Sequence, residues 1–117
     1  MTAIDPWFLR QVKEMVDLRA DLAGRTLETV SRDELRAAKR AGVGDNQLGR
    51  ILGAHPLAVR TRRKELGVSA VFNRVDTCAA EFESFTPYLY SSYESECEAW
   101  PSDRQKVMIL GSGPNRI

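Results

Sequence analysis

Ser31 to Gly67 reads SRDELRAAKRAGVGDNQLGRILGAHPLAVRTRRKELG, and the punctuation of this stretch decides the fold. Ser31 can cap a helix through its hydroxyl, and Glu34 three residues later completes a capping box. The segment Arg32 to Ala41 then ends at Gly42, with Lys39 and Arg40 beside the negative end of the helix dipole. Asp45 is the expected cap of a short third helix through Leu48, Ile51 and Leu52, stopped by Gly53. Pro56 opens a fourth, where its missing N–H costs nothing. That helix carries Val59 and Leu66 on one face and ends at Gly67.

Upstream, Asp5 and Pro6 supply the same start signal for a first helix. Phe8, Val12, Met15, Leu18 and Leu22 recur at steps of three and four, which makes one apolar face, and Gly24 is its stop. Trp7, Leu9 and Val16 are apolar outside that stripe. Part of this helix is therefore expected to meet a partner, with Trp7 as candidate interface residue; a core position for Trp7 is the alternative. Four capped helices with short joints predict a compact α cluster over residues 5–67.

Downstream of Gly67 the texture changes. Residues 68–75 (VSAVFNRV) favour extended structure, and residues 76–85 (DTCAAEFESF) fit either a short helix capped by Asp76 or continued strand. Tyr88, Tyr90 and Tyr93 sit in a run of strand formers, and Glu94 to Ala99 predicts a helical turn before Pro101. Lys106 to Leu110 (KVMIL) reads as a buried strand running into Gly111-Ser112-Gly113-Pro114-Asn115-Arg116, the opening of a βα unit. A buried strand needs neighbours on both sides, so this ending is expected to be the first piece of a longer unit.

The chain is 117 residues long, one ordinary domain. At 43% hydrophobic and 28% charged it is neither disordered nor membrane-like. No apolar run approaches the ~20 residues of a membrane span, and no signal peptide opens the chain. A cytoplasmic location is expected. With 17 basic against 16 acidic residues, long-range attraction to nucleic acid or anionic lipid is weak. Cys78 and Cys97 form no CxxC pair, and with His55 as the single histidine no structural zinc site can be assembled. Both thiols are expected to be buried small apolar groups.

Chemistry is sparse. Asp45 to Leu66 has the outline of a helix-turn-helix whose second helix carries Arg60, Arg62, Arg63 and Lys64. A DNA reader usually rests on a broader basic surface than a near-neutral chain offers, so an αα corner is the preferred reading and DNA binding the alternative. His55, the histidine a Ser/Cys–His pair would require, stands just before Pro56, where it suits a helix cap. Glu81, Glu83, Glu94, Glu96 and Glu98 read as solvated faces. The three tyrosines suit packing on a core or interface, with base stacking as the alternative. The glycine turn is not a GxGxxG fingerprint, because Arg116 stands at the third glycine position, and it lacks a P-loop ending.

Four blocks carry a family resemblance. They are Ile4-Asp5-Pro6-Trp7-Phe8, Arg74-Val75-Asp76-Thr77-Cys78-Ala79-Ala80-Glu81-Phe82, Tyr90-Ser91-Ser92-Tyr93-Glu94 and Leu110-Gly111-Ser112-Gly113-Pro114-Asn115-Arg116-Ile117. In order and spacing they resemble the large subunit of carbamoyl-phosphate synthase; residues 69–74 depart from that family's usual character. The resemblance implies a ligase of arginine and pyrimidine biosynthesis. Two ATP-grasp halves, using ATP and Mg, make carbamoyl phosphate from bicarbonate and ammonia, and a small subunit releases the ammonia from glutamine. This chain matches the mainly helical oligomerisation domain between the halves, plus the first strand and turn of the second.

The resulting expectation is a mainly α protein. A helical oligomerisation domain occupies 1–100, with its cluster at 5–67 and an extended docking segment at 68–100. Residues 101–117 are a linker plus the first strand and Gly-rich turn of a truncated βα unit. Its partners would be another copy, the flanking synthetic domains and the small subunit. No catalytic residue, metal or cofactor is expected in the chain itself. Gly111, Gly113, Asn115 and Arg116 would border the second synthetic site in the whole enzyme.

Overall fold

A computed structural model describes residues 3–111. It contains α1 (Pro6–Asp21), α2 (Arg32–Arg40), α3 (Asp45–Leu52), α4 (Pro56–Glu65), β1 (Val71–Arg74) and β2 (Leu89–Ser92). The fold is mainly helical, as expected, and the segment expected to be extended supplies one small antiparallel sheet.

The helix starts are set by local hydrogen bonds. Asp5 accepts from the Trp7 N–H at 2.8 Å, and Pro6 is the first helical residue. Ser31 and Glu34 form the predicted capping box, with the Ser31 N–H donating to Glu34 Oε2 at 2.8 Å and the Glu34 N–H to Ser31 Oγ at 3.2 Å. His55 caps α4 by accepting the Leu57 N–H on Nδ1 at 3.3 Å. At α3 the expectation is corrected. Asp45 is the first helical residue, and Gly44 is the cap, its N–H held by Gln47 Oε1 at 3.1 Å. The carboxylate expected to cap is thereby free to take other partners.

The core is formed by Leu22, Val30, Leu35, Ala38, Val43, Leu48, Leu52, Val59 and Val68. All lie between residues 22 and 68: Leu22 at the end of α1, Val30 before α2, Val43 between α2 and α3, Val68 after α4, and the rest on α2, α3 and α4. Gly49 allows the α3–α4 corner to close, since a Cβ there would lie 2.6 Å from the Ala54 carbonyl oxygen. Gly53 ends α3 in the left-handed region at φ +65°, which costs glycine little.

α1 departs from the expected compact cluster. None of its side chains is buried, and only Leu18 and the following Leu22 reach the core. Phe8, Val12 and Met15, expected to face inward, are 59%, 57% and 45% exposed. The apolar periodicity marks a face to be covered, and among the described residues nothing covers it.

β1 and β2 pair antiparallel, Val71 with Ser92 and Arg74 with Leu89. Residues 76–85, left open between helix and strand, are neither. Asp76 gathers the Cys78 and Ala80 N–H groups at 2.8 and 2.7 Å, and Ala79 and Ala80 take positive φ values of 51° and 62°. Glu94 to Ala99 is irregular rather than a helical turn. Two longer-range bonds claim this segment instead: the Glu98 N–H donates to the Phe72 carbonyl at 2.8 Å, and Glu98 Oε2 accepts the Arg74 N–H at 2.6 Å. Lys106 to Leu110 joins no ladder among the described residues, and Val107 to Leu110 are 84–88% exposed. An apolar strand without sheet neighbours has no surface to bury against.

Candidate association surface

The positions that sequence reading singled out for chemistry are not brought together. Gly111 is exposed, while Gly113, Asn115 and Arg116 lie outside the described residues. Among the described residues no group of three or more His, Cys, Asp or Glu side chains could hold a metal ion. No helix of the described residues is long and apolar enough to cross a membrane. Cys97 is exposed and Cys78 half-buried, not the buried thiols expected. Neither lies on a helix: Cys78 stands in the turn organised by Asp76, and Cys97 in the irregular segment bonded beside β1.

The basic run on α4 is dispersed by the fold. Arg63 is turned inward and buried. Its Nε and Nη2 donate to the Asp45 carboxylate at 3.1 Å, and its Nη1 donates to the Val68 carbonyl at 3.0 Å. Arg62 pairs with Glu65 at 3.6 Å. Arg60 and Lys64 stay exposed. Two isolated cations do not make the phosphate-tracking surface of a DNA reader, and the helix-turn-helix alternative is not supported.

Asp45 and Arg63 belong to a network that no sequence signal announced. Lys39 Nζ reaches Asp45 Oδ1 at 3.0 Å, so α2, α3 and α4 are tied through one carboxylate. Burial on its own would raise the Asp45 pKa, but the hydrogen bonds from Arg63 and Lys39 outweigh it and hold it below the ordinary value. The half-buried Tyr93 ring lies beneath both cations, 5.2 Å from Lys39 Nζ and 5.9 Å from Arg63 Cζ. This contact docks the end of the hairpin on the helices, joined at the surface by an Arg40–Glu94 pair at 3.1 Å. The partners are 18 and 6 residues apart in sequence, on different elements, so periodicity could not reveal them.

What the molecule presents outward is apolar. Trp7 is 58% exposed and packs edge to face on Phe8, with ring centroids 4.9 Å apart; it is not a core residue. Leu9 and Val16 are likewise exposed. At ~100° per residue the apolar side chains of α1 sweep an arc of roughly 200°, with Arg10, Lys13, Glu14, Asp17 and Asp21 on the remainder. Beside Met15 and Arg19 a groove of about 290 Å³ separates α1 from Val43, Gln47, Arg50 and Ile51. A monomeric domain rarely leaves so wide an apolar face in water. This face can bind another apolar surface, and no nucleophile or acid–base pair lies along it.

Comparison with known proteins gives consistent matches. The family described as carbamoyl-phosphate synthetase large chain, oligomerisation domain, matches residues 1–67. The carbamoyl phosphate synthase large chain of Xanthomonas campestris is 51% identical over 117 residues, all of this chain and 11% of the relative. The chloroplastic arginine-specific large chain of Oryza sativa is 50% identical over 114 residues, 97% of this chain and 10% of the relative. The chain spans about a tenth of the length of these relatives.

Proposed function

Since the chain belongs to the family of carbamoyl-phosphate synthetase large-chain oligomerisation domains, we propose that it is a non-catalytic scaffold whose α1 face binds a second copy. The single observation that carries this reading is a sixteen-residue helix without one buried side chain and with seven exposed large apolar residues at or beside it, Ile4 to Val16. Leaving such a surface in water costs about 25 cal/mol per Å², which association recovers. Residues 68–100 form a second, looser contact region. Its exposed Phe72, Phe82, Phe85, Tyr88, Tyr90 and Trp100 suit docking on flanking domains of the same large chain.

In that setting the whole enzyme would make carbamoyl phosphate from bicarbonate, ammonia released from glutamine by a small subunit, and two ATP. The ATP and Mg sites would lie on the flanking synthetic domains. The turn at Gly111, Gly113, Asn115 and Arg116 would border the second of them, and residues 101–117 would lead into it.

Sedimentation equilibrium of the 117-residue chain tests the scaffold reading. A monomer–dimer equilibrium is expected, weakened by Phe8→Ala while the melting curve stays within about 0.5 kcal/mol of wild type, as for an exposed residue. A chain that stays monomeric at its highest soluble concentration overturns it.

A further inference from the structure

The outward stripe of α1 has a two-fold pattern. Asp5, Phe8, Leu9, Val12, Met15, Val16 and Arg19 stand at positions whose spacing is the same read from either end, with Val12 in the middle. The five central residues are apolar and 45–60% exposed. The two ends are exposed and opposite in charge. Arg19 makes no ion pair among the described residues, and Asp5 uses one carboxylate oxygen to cap the Trp7 N–H.

We propose that two copies of this chain pair through α1 in antiparallel fashion about a two-fold axis at Val12. The proposal rests on the scaffold reading above and names the contact. An isologous interface must be self-complementary, and a stripe symmetric in apolar positions but opposite in charge at its two ends meets that condition only when the helices run antiparallel. Val12 then meets its own counterpart. Phe8 lies against the second copy's Met15, and Leu9 against its Val16, while Asp5 of each copy faces Arg19 of the other. A parallel pair would set Asp5 against Asp5 and Arg19 against Arg19. Antiparallel alignment also opposes the two helix dipoles favourably.

The groove beside Met15 and Arg19 gives the contact depth. In this pairing Phe8 of the second copy would lie at this opening, whose lining combines apolar Met15, Val43 and Ile51 with Arg19, Gln47 and Arg50. Five half-exposed side chains from one short helix fall below the roughly 800 Å² per partner of a standard interface. The pair is therefore expected to be weak, with a dissociation constant in the micromolar range.

Disulfide trapping in a Cys78→Ser, Cys97→Ser background tests this geometry. Val12→Cys is expected to link to itself. A mixture of Phe8→Cys and Met15→Cys chains is expected to link, whereas neither links alone. Arg19→Glu, which leaves the Asp5 cap in place, is expected to weaken dimerisation about three- to tenfold in sedimentation equilibrium with an unchanged circular dichroism spectrum. Self-association that persists while Val12→Cys fails to link and Arg19→Glu has no effect overturns the α1 pairing and leaves the scaffold reading standing. Self-linking of Phe8→Cys alone overturns the antiparallel direction. Absence of any self-association of the wild-type chain overturns both readings.

Discussion

Arg63 lies across Asp45 with three nitrogen–oxygen distances of 3.1 Å, so that a side chain eligible for a DNA-reading surface instead locks two helices together. Replacing Arg63 with alanine should cost about 2–3 kcal/mol, less than the ~3–5 kcal/mol of breaking a fully buried pair, because Asp45 keeps 21% of its side chain in water. Urea unfolding measures this directly. A change below about 0.5 kcal/mol would mean the pair contributes nothing beyond a surface contact.

The same carboxylate sets an acid limit. Asp45 has a folded pKa below its ordinary 3.8, so its contribution is fully present above that value and is lost as pH falls through the lower folded pKa. Glu34 adds to the same limb, its pKa lowered by hydrogen bonds from the Ser31 backbone and side chain. Stability should be flat between pH 5 and 7 on account of these groups and fall below about pH 4. Asp45→Asn should flatten that fall; an unchanged acid limb in the variant would contradict the assignment.

Gly49 should resist enlargement. A Cβ would meet the Ala54 backbone oxygen at 2.6 Å, and a carbonyl cannot rotate away as a side chain does. Overpacking of about 1–3 kcal/mol outweighs the ~1 kcal/mol by which alanine is the better helix former. Gly49→Ala should therefore lower the melting temperature, and a rise would show that the α3–α4 corner relaxes freely.

The two cysteines should differ in reactivity. The Cys97 thiol pKa is lowered by hydrogen bonds from the backbone at Ala99 and Phe72, and its side chain is exposed. A larger thiolate fraction and open access favour alkylation. Iodoacetamide at neutral pH, followed by peptide mass spectrometry, should label Cys97 before Cys78. Equal or inverted labelling would refute the ordering.

Chain truncation after Asp103 should be nearly silent for folding. Val107 to Leu110 contact almost nothing, and Lys106 Nζ reaches only the neighbouring Ser102 and Arg104 carbonyls. The melting temperature should move by no more than about 2 °C, the scale of a surface change. A larger loss would reveal that the apolar segment finds a partner in this chain.

Much of the helical body was legible because its signals are local. Ser31 with Glu34, Pro6 after Asp5 and Pro56 after His55 act within a turn of themselves, and the structure shows all three. The burial of α1 was misread for a physical reason: periodicity shows that Phe8, Val12 and Met15 need covering, not whether this chain supplies the cover. The turn at Asp76 was undecidable because it depends on two alanines held at positive φ, a conformation that alanine does not advertise. The exposure of Trp7 is one of the two readings its sequence position allows, interface or core, and the structure shows it exposed. Arg63 was not legible as a buried residue, since its role depends on Asp45 arriving from another helix.

The confinement of the core to residues 22–68 has a consequence for synthesis. The contacts among these buried residues all close within a short span of chain, a topology of low contact order that folds quickly. On the ribosome the body could form as soon as Val68 has cleared the exit tunnel, before the hairpin is complete. α1, made before this body, would meet it with an apolar face that the body does not cover. Until a second surface covers that face, it is open to chaperone capture or to aggregation with a neighbouring copy on the same message.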